Sequence, residues 1–155
     1  MVAARPRVRP FLPVDPRWLV LIFVGAALGT TARWLLEGTW PAAPDAFPWT
    51  TFWINAGGSL VLGMLLEAVA ESGRDKGWRR GLRLGVGTGA MGGFTTYSTF
   101  SLEAVLLLRS GHWLLATGYV LASVVTGVVA AMLGVRLVRW TTRGLRRTAA
   151  ARSAR

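Results

Sequence analysis

With 155 residues, 52% of them hydrophobic and only 16% charged, the chain lacks the polar surface of a soluble domain, where about 25% of residues are charged. One histidine and no cysteine exclude disulfides, cysteine-based metal or redox chemistry, and histidine-rich metal sites or proton relays. The net charge of +11 sits between or outside the apolar runs, where membrane topology places it, so no nucleic-acid partner is expected.

Residues 1–16 form a basic, proline-rich tail, with Arg5, Arg7 and Arg9 among Pro6, Pro10, Pro13 and Pro16. Such a composition favours an extended chain. The apolar run that follows, at about 17–37, is longer than the roughly 7–15-residue core of a signal peptide and reads as a first membrane helix. Three more runs follow, at about 49–70, 82–108 and 113–138. A bilayer core of about 30 Å takes roughly 20 residues at about 1.5 Å each, so the chain is expected to be an all-α membrane protein of four transmembrane helices with no separate soluble domain. A basic tail, 139–155, closes it.

The connections are short: a proline-containing segment at 38–48, a charged loop at 71–80 and a tight link at 109–112. All prolines lie at or before Pro48, so no later helix is broken by one. Trp18, Trp34, Trp49, Trp53, Trp113 and Trp140 fall near helix ends, as in an interfacial aromatic belt. Small residues recur four apart in every span: Gly25 and Gly29; Ser59 and Gly63; Gly81, Gly85 and Gly89; Ser123, Gly127 and Ala131. That spacing lines one helix face and lets backbones approach closely. Of the 18 Lys and Arg residues, 16 fall on one side of this topology, and only Arg33 and Arg109 on the other. The positive-inside rule then places both termini in the cytoplasm.

Glu103 is the only carboxylate well inside a span, and no Asp lies in any apolar run. A proton-coupled transporter needs an ionisable group near mid-membrane. A passive pore or a non-conducting structural or regulatory subunit is therefore expected, rather than an enzyme or an antiporter. A small multidrug-type transporter would want a carboxylate in the middle of the first helix, which has none before Glu37.

The third span holds the most unusual segment, Gly92-Gly-Phe-Thr-Thr-Tyr-Ser-Thr-Phe-Ser101. Two glycines and a run of hydroxyl residues are poor for an uninterrupted helix, and this span is longer than one crossing requires. A break is expected near Gly92–Ser98, of the kind tolerated where it is buried in protein or lines an ion site. Asn55 lies about seven residues into the second helix with Ser59 one turn on; its amide either joins two helices or serves a ligand. Tyr97 and Phe100, three apart, share a face.

Asn55-Ala-Gly-Gly-Ser59, the third-span motif with Glu103, and Gly29-Thr-Thr-Ala-Arg33 resemble the Fluc/CrcB fluoride channels over about 20–138. The resemblance implies an antiparallel dimer in the cell membrane with two narrow fluoride pathways. It gives Asn55 an amide N–H for fluoride, Tyr97 and Phe100 the two positions of an aromatic box, and Thr96, Ser98 and Ser123 a hydroxyl track. It also implies a structural sodium ion held by carbonyls of Gly92 and Thr95. Arg33 and Glu103 are supporting candidates. The first box position is usually phenylalanine in the family, and here it is Tyr97. The partner implied is an identical chain or an oppositely oriented paralogue.

Overall fold

The structure is a computed structural model that describes residues 15–153, with side chains described through Gly144. The proline-rich tail therefore lies outside the described residues up to residue 14, as do the side chains of Arg146, Arg147, Arg152 and Arg155. Among the described residues the chain is helical throughout, without strands: α1 (Pro16–Thr39), α2 (Trp49–Ser72), α3 (Trp78–Leu82), a π-helical stretch (Arg83–Met91), α4 (Gly92–Phe94), α5 (Ser98–Arg109) and α6 (Trp113–Ser153). α1, α2 and residues 113–144 of α6 are each long and apolar enough to cross a membrane. The remaining crossing, third in chain order, is composite: α3, the π-helical stretch and α4 run on as one rod, which breaks before α5.

Local chemistry sets these boundaries. Asp15 caps α1 by accepting a hydrogen bond from Arg17 N at 3.1 Å, and Pro16 fits the first turn, whose N–H has no helical partner. Between α2 and α3, Gly73 and Gly77 take positive φ values of 126° and 55°, and Asp75 ties the turn to α3 through Arg80 at 3.6 Å and to the start of the π-helical stretch through Arg83 at 2.7 Å. The Arg83 guanidinium holds the Asp75 carboxyl below its ordinary value. α6 extends well past 138, because alanine and arginine are good helix formers and a helix need not stop where hydrophobicity does.

Two tight pairings carry the packing. α1 runs along the π-helical stretch and α4, and α2 runs along α6. A Cβ at Gly29 would lie 2.9 Å from both the Ala90 carbonyl carbon and Phe94 N, and one at Gly89 would lie 2.6 Å from Ile22 O. A Cβ at Gly134 would lie 2.8 Å from Met64 N, and one at Gly63 would meet the Ala131 carbonyl. Backbone touches backbone at both seams, as the small-residue spacing predicts. The core sits near one end, where Phe52, Ala104, Leu107, Ala116 and Tyr119 bring α2, α5 and α6 together. Large apolar side chains such as Phe23, Leu28, Leu121 and Val125 face outward, as lipid-facing positions do.

Candidate functional site

The helix break falls at Thr95–Tyr97, within the expected segment but after the glycine pair, which is still helical. Thr95 turns to an extended ψ of 154°. In a continuous helix the Thr96 N–H would bond the Gly92 carbonyl. Instead it donates to Asn55 Oδ1 at 2.8 Å, while Asn55 Nδ2 donates to Thr96 O at 3.0 Å. One amide thus grips both backbone groups of Thr96. The Thr96 hydroxyl then caps the new helix, accepting from Thr99 N at 3.1 Å and donating to Thr99 Oγ1 at 3.0 Å.

These substitutions deprive the carbonyls of Gly92 and Thr95 of the N–H groups that would occupy them in a continuous helix. The neighbouring Gly93 carbonyl is held by Arg33 Nε at 3.2 Å and Thr30 Oγ1 at 3.4 Å. Arg33 also pairs with Glu37 at 3.3 Å. Among the described residues no group of His, Cys, Asp or Glu could hold a metal. The released carbonyls are oxygen donors of the kind that hard cations take.

A cavity of about 470 Å³ beside the break gathers Asn55, Thr95, Thr96, Tyr97, Phe100 and Ser123, with Ser59 and Gly127 along it. Ser98 and Gly92 do not line it, and both are exposed. Tyr97 is 81% exposed, and its ring lies 6.1 Å from that of Phe100. The Ser123 hydroxyl is buried and, among the described residues, has no hydrogen-bond partner. A buried hydroxyl without a partner is costly, which makes Ser123 a donor available to a ligand in this cavity.

Glu103 lies beyond the cavity, one turn along α5 from Phe100. Its carboxyl accepts from Thr51 Oγ1 at 2.7 Å and from Tyr119 OH at 2.7 Å. The Phe100 and Tyr119 rings touch, with centroids 5.2 Å apart. Sequence reasoning missed Thr51 and Tyr119. The signal was present: Thr51, Asn55 and Ser59 recur every four residues on α2, as Tyr119, Ser123 and Gly127 do on α6. Two facing helices therefore carry a continuous small or polar row past the break, and each was read only in part.

The family model described as CrcB-like protein, Camphor Resistance (CrcB), matches residues 20–135. The chain belongs to the CrcB family. Among the CrcB relatives, Fluoride-specific ion channel FluC 1 of Cutibacterium acnes is 43% identical over 129 residues, covering 83% of this chain and 90% of that one. FluC 2 of Nocardia farcinica is 39% identical over 137 residues, 87% and 94% of the two chains. The Chloroflexus aurantiacus FluC is 42% identical over 124 residues, 79% and 95% of the two. In this CrcB chain the matched region reaches into all four crossings and takes in both rows of polar residues.

Proposed function

We propose that this chain is a subunit of a passive, fluoride-selective channel that exports the ion from the cytoplasm. One observation carries the reading beyond the relatives' names: Asn55, the helix break, the Phe100 ring and the unpartnered Ser123 hydroxyl meet in one cavity. Fluoride is small and strongly hydrated, so a pore must replace its water with N–H and O–H donors. Asn55 keeps one amide hydrogen beyond the bond to Thr96, Ser123 keeps its hydroxyl, and aromatic ring edges carry partial positive charge. Past Phe100, the Thr51 and Tyr119 hydroxyls already converge on an anionic group type, the Glu103 carboxyl. Weak, successive donors bind the ion without trapping it, as a full cation in the path would.

The exposed Tyr97 ring, with Gly92 and Ser98 exposed on either side of the break, favours a second subunit over this face, in a cell-membrane dimer whose halves run oppositely, with both termini of this chain cytoplasmic. The Gly92 and Thr95 carbonyls would then hold a sodium ion at the centre. Its charge would offset the cost of bringing an anion nearby without blocking the path.

The test is fluoride efflux from liposomes carrying the purified protein. Wild type should release fluoride and not chloride, and Phe100→Ile should lose the flux while still assembling, since it removes a ring edge and little apolar volume. Undiminished efflux in that variant would take Phe100 out of the pathway.

A further inference from the structure

A second cavity, of about 550 Å³, opens at the end of the molecule opposite the basic loop and bears on how ions reach the donors described above. One wall is the connection between α1 and α2, from Ala42 to Ala46. The other is one face of α5, where Glu103, Leu106, Leu107 and Ser110 follow at helical spacing, with Arg109 at the edge. Glu103 is part of this lining. The carboxyl therefore borders this space while its two hydroxyl partners, Thr51 and Tyr119, lead back through the Phe100 ring to the Asn55 cavity.

The charges at this end are few. Arg33 is committed to Glu37 and the Gly93 carbonyl. Asp45, held at a φ of 57°, pairs with His112 at 3.3 Å and so fastens the connection to the α5–α6 turn. Arg109 is exposed and, among the described residues, makes no ion pair. It is a free guanidinium beside a cavity otherwise edged by two carboxyls, Asp45 and Glu103.

We propose that this cavity is the outward mouth of the ion pathway and that Arg109 is its anion-collecting residue. The inference rests on the fluoride-channel reading. A cation at a mouth raises the local concentration of anions without binding them in the path, and its effect fades as salt screens it. The competing role, a last-turn cation that complements the carbonyl end of α5, acts on helix stability and not on a salt-dependent rate.

The experiment measures initial fluoride efflux from liposomes, with fluoride below saturation, in gluconate of about 0.01 M and about 1 M, where the screening lengths are about 30 Å and 3 Å. A unit charge at a water-filled mouth changes the rate about two- to threefold in low salt, so Arg109→Gln should slow efflux by that factor and Arg109→Glu by about fivefold. Both should approach wild type in high salt, and Arg109→Lys should match it throughout. If the Arg109 variants fail to assemble, Ala43→Asp, which places a negative charge on the facing wall, should slow efflux in low salt alone. A wild type that carries no fluoride would sink the channel reading itself. A conducting wild type with unaffected Arg109→Glu and Ala43→Asp variants would overturn the mouth, as would a loss equal in low and high salt.

Discussion

Asn55 pairs an amide with a backbone peptide, Oδ1 accepting from Thr96 N and Nδ2 donating to Thr96 O. Each such bond contributes about 1 kcal/mol, and an orphaned buried group costs about 1–3 kcal/mol. Asn55→Leu removes both bonds and frees the Thr96 N–H to return to Gly92, which would re-form the helix through the break. The variant should lose fluoride efflux and also unfold earlier in a detergent thermal scan. Normal efflux with an unshifted midpoint would refute this role. From sequence, Asn55 was legible as an unusual amide in a membrane helix, with packing and ligand duty both open. Its partner was not legible, because it is a main-chain group 41 residues away that exists only once the break has formed. Glu103 was legible for a similar reason, as a lone carboxylate in a span. Thr51 and Tyr119 look like ordinary helix residues until the fold points them at it.

At the scale of the helices, the four-residue spacing of small side chains foretold close seams, and Gly25, Gly29, Gly63 and Gly89 lie in them, joined by Gly93 and Gly134 outside that spacing. What the spacing could not give was the geometry of the third crossing. Nine π-helical residues precede the break, wider than an α-helix, with Gly85, Gly87 and Gly89 among them. No side-chain periodicity distinguishes that winding from α. The reach of α6 was hidden for another reason: hydropathy marks where lipid ends, and the helix continues over 41 residues, about 60 Å. The α1 seam gives a direct test. At Gly29 even a Cβ meets the Ala90 carbonyl and Phe94 N, so Gly29→Val should force α1 off α4 and destabilise the fold by about 1–3 kcal/mol or more. Gly38→Ala, on the same helix in open space, should change little. Equal thermal midpoints for the two variants would mean that the seam does not hold α1.

The whole molecule is electrically lopsided in a way that the fold now makes spatial. Trp18, next to Arg17, lies against Gly81, where a Cβ would be 3.3 Å from its ring; this sets the start of α1 beside α3. Arg139 pairs with Glu67 at 2.7 Å, which brings the far part of α6 to the end of α2. Arg17, the cations of 74–83, and Arg136, Arg139 and Arg143 therefore share one end, and Arg33 and Arg109 hold the other. An antiparallel pair of identical chains requires each copy to insert both ways, and every added Lys or Arg resists transfer to the outer side. A charge distribution this uneven should fix the orientation of the chain, with a differently charged paralogue as its inverted partner. Distance from the membrane tempers the bias, since basic residues far from a helix end count little. The loop cations do not have that distance: Arg79, Arg80 and Arg83 lie within the first turns of the third crossing itself. The absence of cysteine makes the measurement direct. Ser72→Cys marks the basic end and Ser110→Cys the other, both at exposed positions, for labelling of intact cells by an impermeant thiol reagent. Labelling at Ser110→Cys alone is the expected result. Comparable labelling at both would show dual insertion, and two copies of this one chain would then suffice to build the proposed dimer.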